Sequence, residues 1–155
     1  MTIDNSNQYK TLTTRHSYDA PVEVVWQAWT DPKEFAKWWS PDTFTTPICE
    51  LDVRPEGELR IEMLGPDGVK YPTIGRYKEV INSKLLSFVN SPMDANGNKL
   101  FEALQTVEFK KIGDQTELIV TSNVLSATPG AESYLDGMEP GIKQALDKLE
   151  NVLQK

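Results

Sequence analysis

From residue 19 to residue 39 the chain reads DAPVEVVWQAWTDPKEFAKWW. Val22, Val25, Trp26 and Trp29 recur at i, i+3, i+4 and i+7, the spacing of one helix face. Pro21 stands where that helix begins, a position at which its missing N–H costs nothing. Thr30-Asp31-Pro32 then restarts the chain. Asp31 is placed to cap a second short helix, Pro32 takes its first position, and Glu34 is spaced to complete a capping box. All four tryptophans of the chain (Trp26, Trp29, Trp38 and Trp39) fall in this stretch. Two helices with aromatic faces this broad need another layer to cover them.

The rest of the chain supplies that layer as strands. Residues 9–18 are Thr-rich and read as a first strand. After a turn at Ser40-Pro41-Asp42, residues 45–53 place Cys49, Leu51 and Val53 on one face. Residues 58–64 alternate cleanly, with Leu59, Ile61 and Met63 facing one way and Glu58, Arg60 and Glu62 the other, the pattern of a half-buried antiparallel strand. Gly65-Pro66-Asp67-Gly68 is a hairpin turn leading into 69–81. Strands at 84–90, 101–111 and 117–125 follow, the first separated from the second by a loop at 92–98. The C-terminal region begins at Thr128-Pro129, but Pro140 interrupts it, and an interior proline costs about 3 kcal/mol. A turn or two over 131–138 and a main helix over 139–153 are therefore expected. Ile142, Ala145, Leu146, Leu149, Val152 and Leu153 form the stripe of that main helix. The order β-αα-β-strand run-α predicts an α+β fold: a curved antiparallel sheet of six to seven strands around a long C-terminal helix.

Composition narrows the classes. At 155 residues one domain is expected over 1–155, with 1–9 frayed. A domain of this size buries roughly 68–70% of its unfolded surface, enough for a core and an internal cavity. The net charge is −7, with nine basic and twelve acidic residues up to Lys78 and seven and eleven after it. Nothing there forms a basic footprint for nucleic acid, and an anionic membrane would repel the chain. Cys49 is the single cysteine, so an internal disulfide is excluded and a reducing compartment fits. The first ten residues lack the apolar core of a signal peptide, and no run approaches the ~20 apolar residues of a spanning helix. A cytoplasmic protein is expected.

Candidate chemistry is sparse. His16 is the sole histidine and Cys49 lies among aliphatic positions, where a thiol behaves as a small hydrophobe. One Cys and one His make no usual zinc set, and the glycines form no phosphate-cradling motif. No cofactor, metal or catalytic residue is expected. Trp26 and Trp29 read as core. Trp38 and Trp39 are adjacent, so on a helix they diverge by about 100°; one can pack inward while the other stands at the mouth of a cavity. Met63, Tyr77, Phe88 and Phe109 share the inner sheet face, with Met138 and Ile142 opposite. The same residues suit a filled core or a ligand cavity.

The signature A-P-V-E-V-V-W-x-A-W-T-D-P-x-x-x-x-x-W-W over residues 20–39 resembles the opening of the START-like, helix-grip (SRPBCC) superfamily. Leu51-Asp52-Val53-Arg54-Pro55-Glu56-Gly57, then Gly75-Arg76-Tyr77-Lys78-Glu79-Val80, then the late amphipathic helix extend the likeness. Within that superfamily the chain is similar to the branch of the C-terminal domain of the activator of the large heat-shock-protein ATPase. The resemblance implies a helix gripped by a curved sheet, with a ligand cavity between them, and a structural Asp52–Arg54 corner. The family usually has a second glycine where this chain has Glu56, a departure expected to alter that turn locally. Three functions are consistent with the resemblance. The leading one is binding of an uncharged or amphipathic hydrophobic molecule at Trp38, Trp39, Met63, Tyr77, Phe88, Phe109, Met138 and Ile142. A protein-interaction module for a heat-shock ATPase is a second. An enzyme of the cyclase or hydrolase kind is a third; it would need Tyr77, Glu108 or Arg60 turned inward.

Overall fold

A computed structural model describes residues 11–40, 43–94, 96–129, 131 and 135–153. The expectations for 1–9, for Pro41-Asp42 and for 132–134 lie outside the described residues. Strand β1 (Thr11–Tyr18) leads into α1 (Val22–Thr30) and the single turn α2 (Pro32–Phe35). Six strands follow: β2 (Thr45–Leu51), β3 (Glu58–Leu64), β4 (Lys70–Ile81), β5 (Leu85–Pro92), β6 (Phe101–Ile112) and β7 (Gln115–Ala127). They close on α3 (Met138–Leu153). The seven strands form one curved antiparallel sheet in the order β1-β7-β6-β5-β4-β3-β2. From β2 to β7 the chain is a plain meander. β1 pairs with β7, so β1 and β2 occupy opposite edges, and the α1–α2 corner carries the chain from one edge to the other. The architecture is the α+β helix-grip fold.

The corner forms largely as its sequence dictates. Val22, Val25, Ala28 and Trp29 are buried on one face of α1. Asp31 caps α2 by accepting from the Lys33 N–H at 2.8 Å and the Glu34 N–H at 3.4 Å. The capping box does not close. The Asp31 N–H donates to the Gln27 carbonyl at 2.9 Å, and the Glu34 carboxylate accepts instead from Lys37 Nζ at 2.9 Å. With the previous helix still supplying a carbonyl, the capping residue has no N–H left for Glu34.

Aromatic rings fill the space under the corner. Trp29 is fully buried, edge-on to Trp38 with ring centroids 4.7 Å apart. Trp38 is equally buried and donates its indole N–H to the Ala28 carbonyl at 2.9 Å. Trp26, expected in the core, is only partly buried, edge-on to Phe109 at 5.0 Å. The helix stripe behaves as its spacing predicts. Ala145, Leu146 and Leu149 are buried, and Ile142, Val152 and Leu153 partly so. Pro140 is the third residue of α3 rather than an interior one, so no helix bond is lost. On β1, Tyr18 Oη donates to the Leu146 carbonyl at 2.9 Å and His16 Nε2 lies 2.7 Å from Glu150 Oε1, which ties α3 to the sheet edge.

Candidate functional site

The N-terminal end of α3 covers the sheet differently from its C-terminal end. Gly137, immediately before α3, and Gly141 and Ala145 within it follow one another at intervals of four, so the face they share carries almost no side-chain volume. Farther along, Leu146 and Leu149 are buried against the sheet. The shortfall leaves a cavity of about 320 Å³ between α3 and the middle strands. Met63, Tyr71 and Thr73 of β3 and β4, Asn90 and Pro92 of β5 and Gln105 of β6 line its sheet side. Met138, Ile142 and Ala145 line the helix side, Trp39 and Phe44 one wall, and Met93 and Leu100 the other, beside the β5–β6 loop.

Of the eight residues that the sequence marks for ligand contact, Trp39, Met63, Met138 and Ile142 come together around this cavity. The tryptophan pair does diverge. The ring planes meet at 79°, with Trp38 inside and Trp39 at the wall. Trp38 therefore holds the corner together rather than lining the cavity. Tyr77, Phe88 and Phe109 are buried in the core and do not line it either. Phe109 is covered by Trp26 and Trp29, and Tyr77 lies edge-on to Phe88 at 5.8 Å. These three share the sheet face with Met63, but at the end where tryptophans and leucines reach the sheet.

A polar cluster that the apolar pattern did not single out forms part of the lining. Gln105 Nε2 donates to Asn90 Oδ1 at 3.2 Å, and Ser122 Oγ donates to Gln105 Oε1. All three side chains are buried. Sequence phase carries the signal. On β6 the inward positions are Phe101, Ala103, Gln105, Val107 and Phe109, and Gln105 is the one polar residue among them. Asn90 shares a phase with Leu86 and Phe88 on β5, and Ser122 shares one with Leu118 and Val120 on β7. Three adjacent strands thus each place a neutral polar residue at an inward position. Behind the cavity lies a void of about 10 Å³ that shares Trp39, Gln105, Ile142 and Ala145 with it and is also lined by Trp29.

Apart from Tyr71, the titratable groups among the described residues lie away from the cavity. Burial pushes the Cys49 thiol up to about 12, with Asp31 and Glu50 adding to the effect. Burial likewise drives the Tyr18 and Tyr77 phenols above the usual tyrosine range. Glu102 is held below the usual carboxylate range by the hydrogen bond from Ser91, together with one from Lys99. Arg60 points outward toward Glu50, and Glu108 alternates outward beside Phe109. None of these groups lines the cavity. Among the described residues no cluster of His, Cys, Asp and Glu could hold a metal ion, and no helix is long and apolar enough to cross a membrane.

The family model of the activator of Hsp90 ATPase homolog 1-like proteins matches residues 19–154. No curated protein matches the sequence significantly. Several solved structures share the fold. A protein from Arthrobacter aurescens is 24% identical, with a TM-score of 0.84 over 99% of this chain and 91% of its own. One from Mycobacterium smegmatis is 26% identical, with a TM-score of 0.79 over 92% and 90%. A protein from Silicibacter pomeroyi that carries the same family designation is 18% identical, with a TM-score of 0.78 over 94% and 98%.

Proposed function

The chain belongs to the activator of Hsp90 ATPase homolog 1-like family, and from that premise we propose that it binds a small apolar or amphipathic molecule between the sheet and α3. The observation that carries the reading is the cavity of about 320 Å³ under the Gly137–Gly141–Ala145 face. Its volume lies in the range of small-molecule sites, and its lining is the usual mixture of aromatic and aliphatic side chains with a few polar groups. A molecule of about ten non-hydrogen atoms, at roughly 30 Å³ each, fits within it. At about 0.5–0.7 kcal/mol per atom such a ligand gains 5–7 kcal/mol, or a Kd between about 10 and 200 μM. The reading places this domain in the cytoplasm, in keeping with the single cysteine. Its role there is binding without turnover.

The test is a panel of hydrophobic metabolites followed by tryptophan fluorescence and by amide chemical shifts. Binding should change the emission of Trp39, the one tryptophan on the cavity wall, and Trp39→Phe should remove most of that change. Shifts should concentrate on Met63, Asn90, Gln105 and Ile142. Shifts that map elsewhere, or a panel in which nothing binds at millimolar concentration, would sink the proposal.

A further inference from the structure

We propose that the inner end of the cavity is a site for a neutral hydrogen-bond acceptor, the carbonyl oxygen of a ketone, ester or amide, with the apolar remainder of the ligand toward Met93 and Leu100. This rests on the binding reading above and specifies its ligand. Among the described residues that line the cavity, no side chain is charged. Lys148 donates to the Ser40 hydroxyl at 2.8 Å and to the Ser40 carbonyl at 3.2 Å, and is not one of the lining residues. An anion in the cavity would therefore lose its water without gaining a paired cation, which is costly.

The polar cluster that is present offers donors. The oxygen of each amide already accepts a bond, Gln105 Oε1 from Ser122 and Asn90 Oδ1 from Gln105. An amide NH2 carries two N–H groups. Gln105 Nε2 uses one of them, and Asn90 Nδ2 donates to none of the described residues. Trp29 adds a fourth donor. Its Nε1 is the one buried side-chain polar atom that lacks a hydrogen-bond partner among the described residues, and Trp29 lines the 10 Å³ void that continues the cavity inward. A void of that size admits about one oxygen atom or water. Buried donors without partners are rare in native proteins and call for an explanation. A single carbonyl oxygen at this end accepts from the Gln105 and Asn90 amides, and from the Trp29 indole where it or a bridging water enters the void.

The experiment compares 2-nonanone, nonane and nonanoate on the full-length protein by calorimetry. The three share a chain length and differ at the head. The ketone should bind at least about tenfold tighter than the alkane and the carboxylate, because without it the site's donors stay unpaired. Gln105→Leu should bring the ketone to within about threefold of the alkane. Two measurements on the wild type need no variant. The Trp29 indole N–H resonance should move with 2-nonanone and not with nonane. The carbonyl stretch of carbon-13 2-nonanone should fall to lower wavenumber than in alkane solvent. Nonane binding as tightly as the ketone would overturn the head-group proposal and leave the cavity reading standing, as would an unshifted carbonyl stretch. Nonanoate binding tightest would overturn it in favour of an anion site. Absence of binding by all three would overturn both readings.

Discussion

Glu56 occupies a backbone position better suited to glycine. Its φ is 66°, in the left-handed region, where a Cβ costs roughly 1–2 kcal/mol. The substitution of the family's usual glycine by Glu56 therefore places a side chain at a left-handed position. Its neighbours hold it in place. The Glu56 N–H donates to the Tyr77 carbonyl at 2.9 Å, Arg76 Nη1 donates to the Glu56 carbonyl at 3.1 Å, and Arg54 Nε grips the Asp52 carboxylate at 2.8 Å. Next to it, Gly57 has no room at all: a Cβ there would meet the Asp52 carbonyl oxygen at 1.9 Å. Opposite outcomes are expected at adjacent positions. Glu56→Gly relieves the left-handed strain, offset by about 0.4–1 kcal/mol of added unfolded-state freedom, and should be neutral to stabilising by up to about 1 kcal/mol in denaturant titration. The Glu56–Lys78 pair that it removes is exposed, 3.4 Å apart, and contributes little. Gly57→Ala should cost about 3 kcal/mol, because only a backbone shift clears the clash. A Gly57→Ala variant as stable as wild type would mean that this corner is looser than its hydrogen bonds indicate. The identity of these turn residues was legible in the sequence; the sign of φ at a glutamate was not, since no side-chain pattern encodes it.

Elements were read well where period and punctuation agreed, and less well where one residue had two possible partners. The alternation of Leu59, Ile61 and Met63 fixes the inward face of β3, and the structure pairs that strand with β4 through the expected hairpin, Glu58 opposite Arg76 and Leu64 opposite Lys70. Pro140 marked the start of α3 to within one residue, because a proline in the first turn has no bond to lose. Glu34 misled: its spacing from Asp31 fits a capping box, but spacing cannot show that the Asp31 N–H still belongs to the previous helix. The stripe on α3 divides by position. Leu146 and Leu149 are the plugs, fully enclosed between sheet and corner, and the Leu146 backbone also holds Tyr18. Leu146→Ala should therefore destabilise by about 2–5 kcal/mol, as buried leucine truncations do, with a parallel fall in thermal midpoint. Val152→Ala, at a partly buried position nearer the helix end, should cost distinctly less. Equal costs at the two positions would argue against a helix gripped mainly through its middle.

At the scale of the whole molecule, the cavity is a volume left over, and this is why the sequence half-concealed it. Inward-facing phase put Met63, Trp39, Met138 and Ile142 on the right surface, but phase does not say how closely the opposing layer approaches. Phe109 and Tyr77 have the same phase and lie under side chains that reach them. The difference is made by the missing side-chain volume at Gly137, just before α3, and at Gly141 and Ala145 within it, and by polar residues on β5, β6 and β7 that no apolar residue displaces. If that space is held open for a ligand, stability and occupancy should trade against each other. Ala145 is the residue on which to test this, because it is buried and borders both the cavity and the void behind it. Ala145→Leu adds three carbons directed at empty volume. It should leave stability within about 1 kcal/mol of wild type or raise it, whereas the same change in a close-packed core costs about 1–3 kcal/mol. The variant should also lose the ligand's stabilisation, which for wild type amounts to about 2.7 kcal/mol at a ligand concentration one hundred times Kd. Thermal melts of both proteins, with and without a bound probe, separate the outcomes. A filled variant that is stable and unresponsive marks the space as the binding site. A filled variant that still gains the full stabilisation places the ligand somewhere else, and one that is destabilised by several kcal/mol means that α3 has no slack above the sheet at this point.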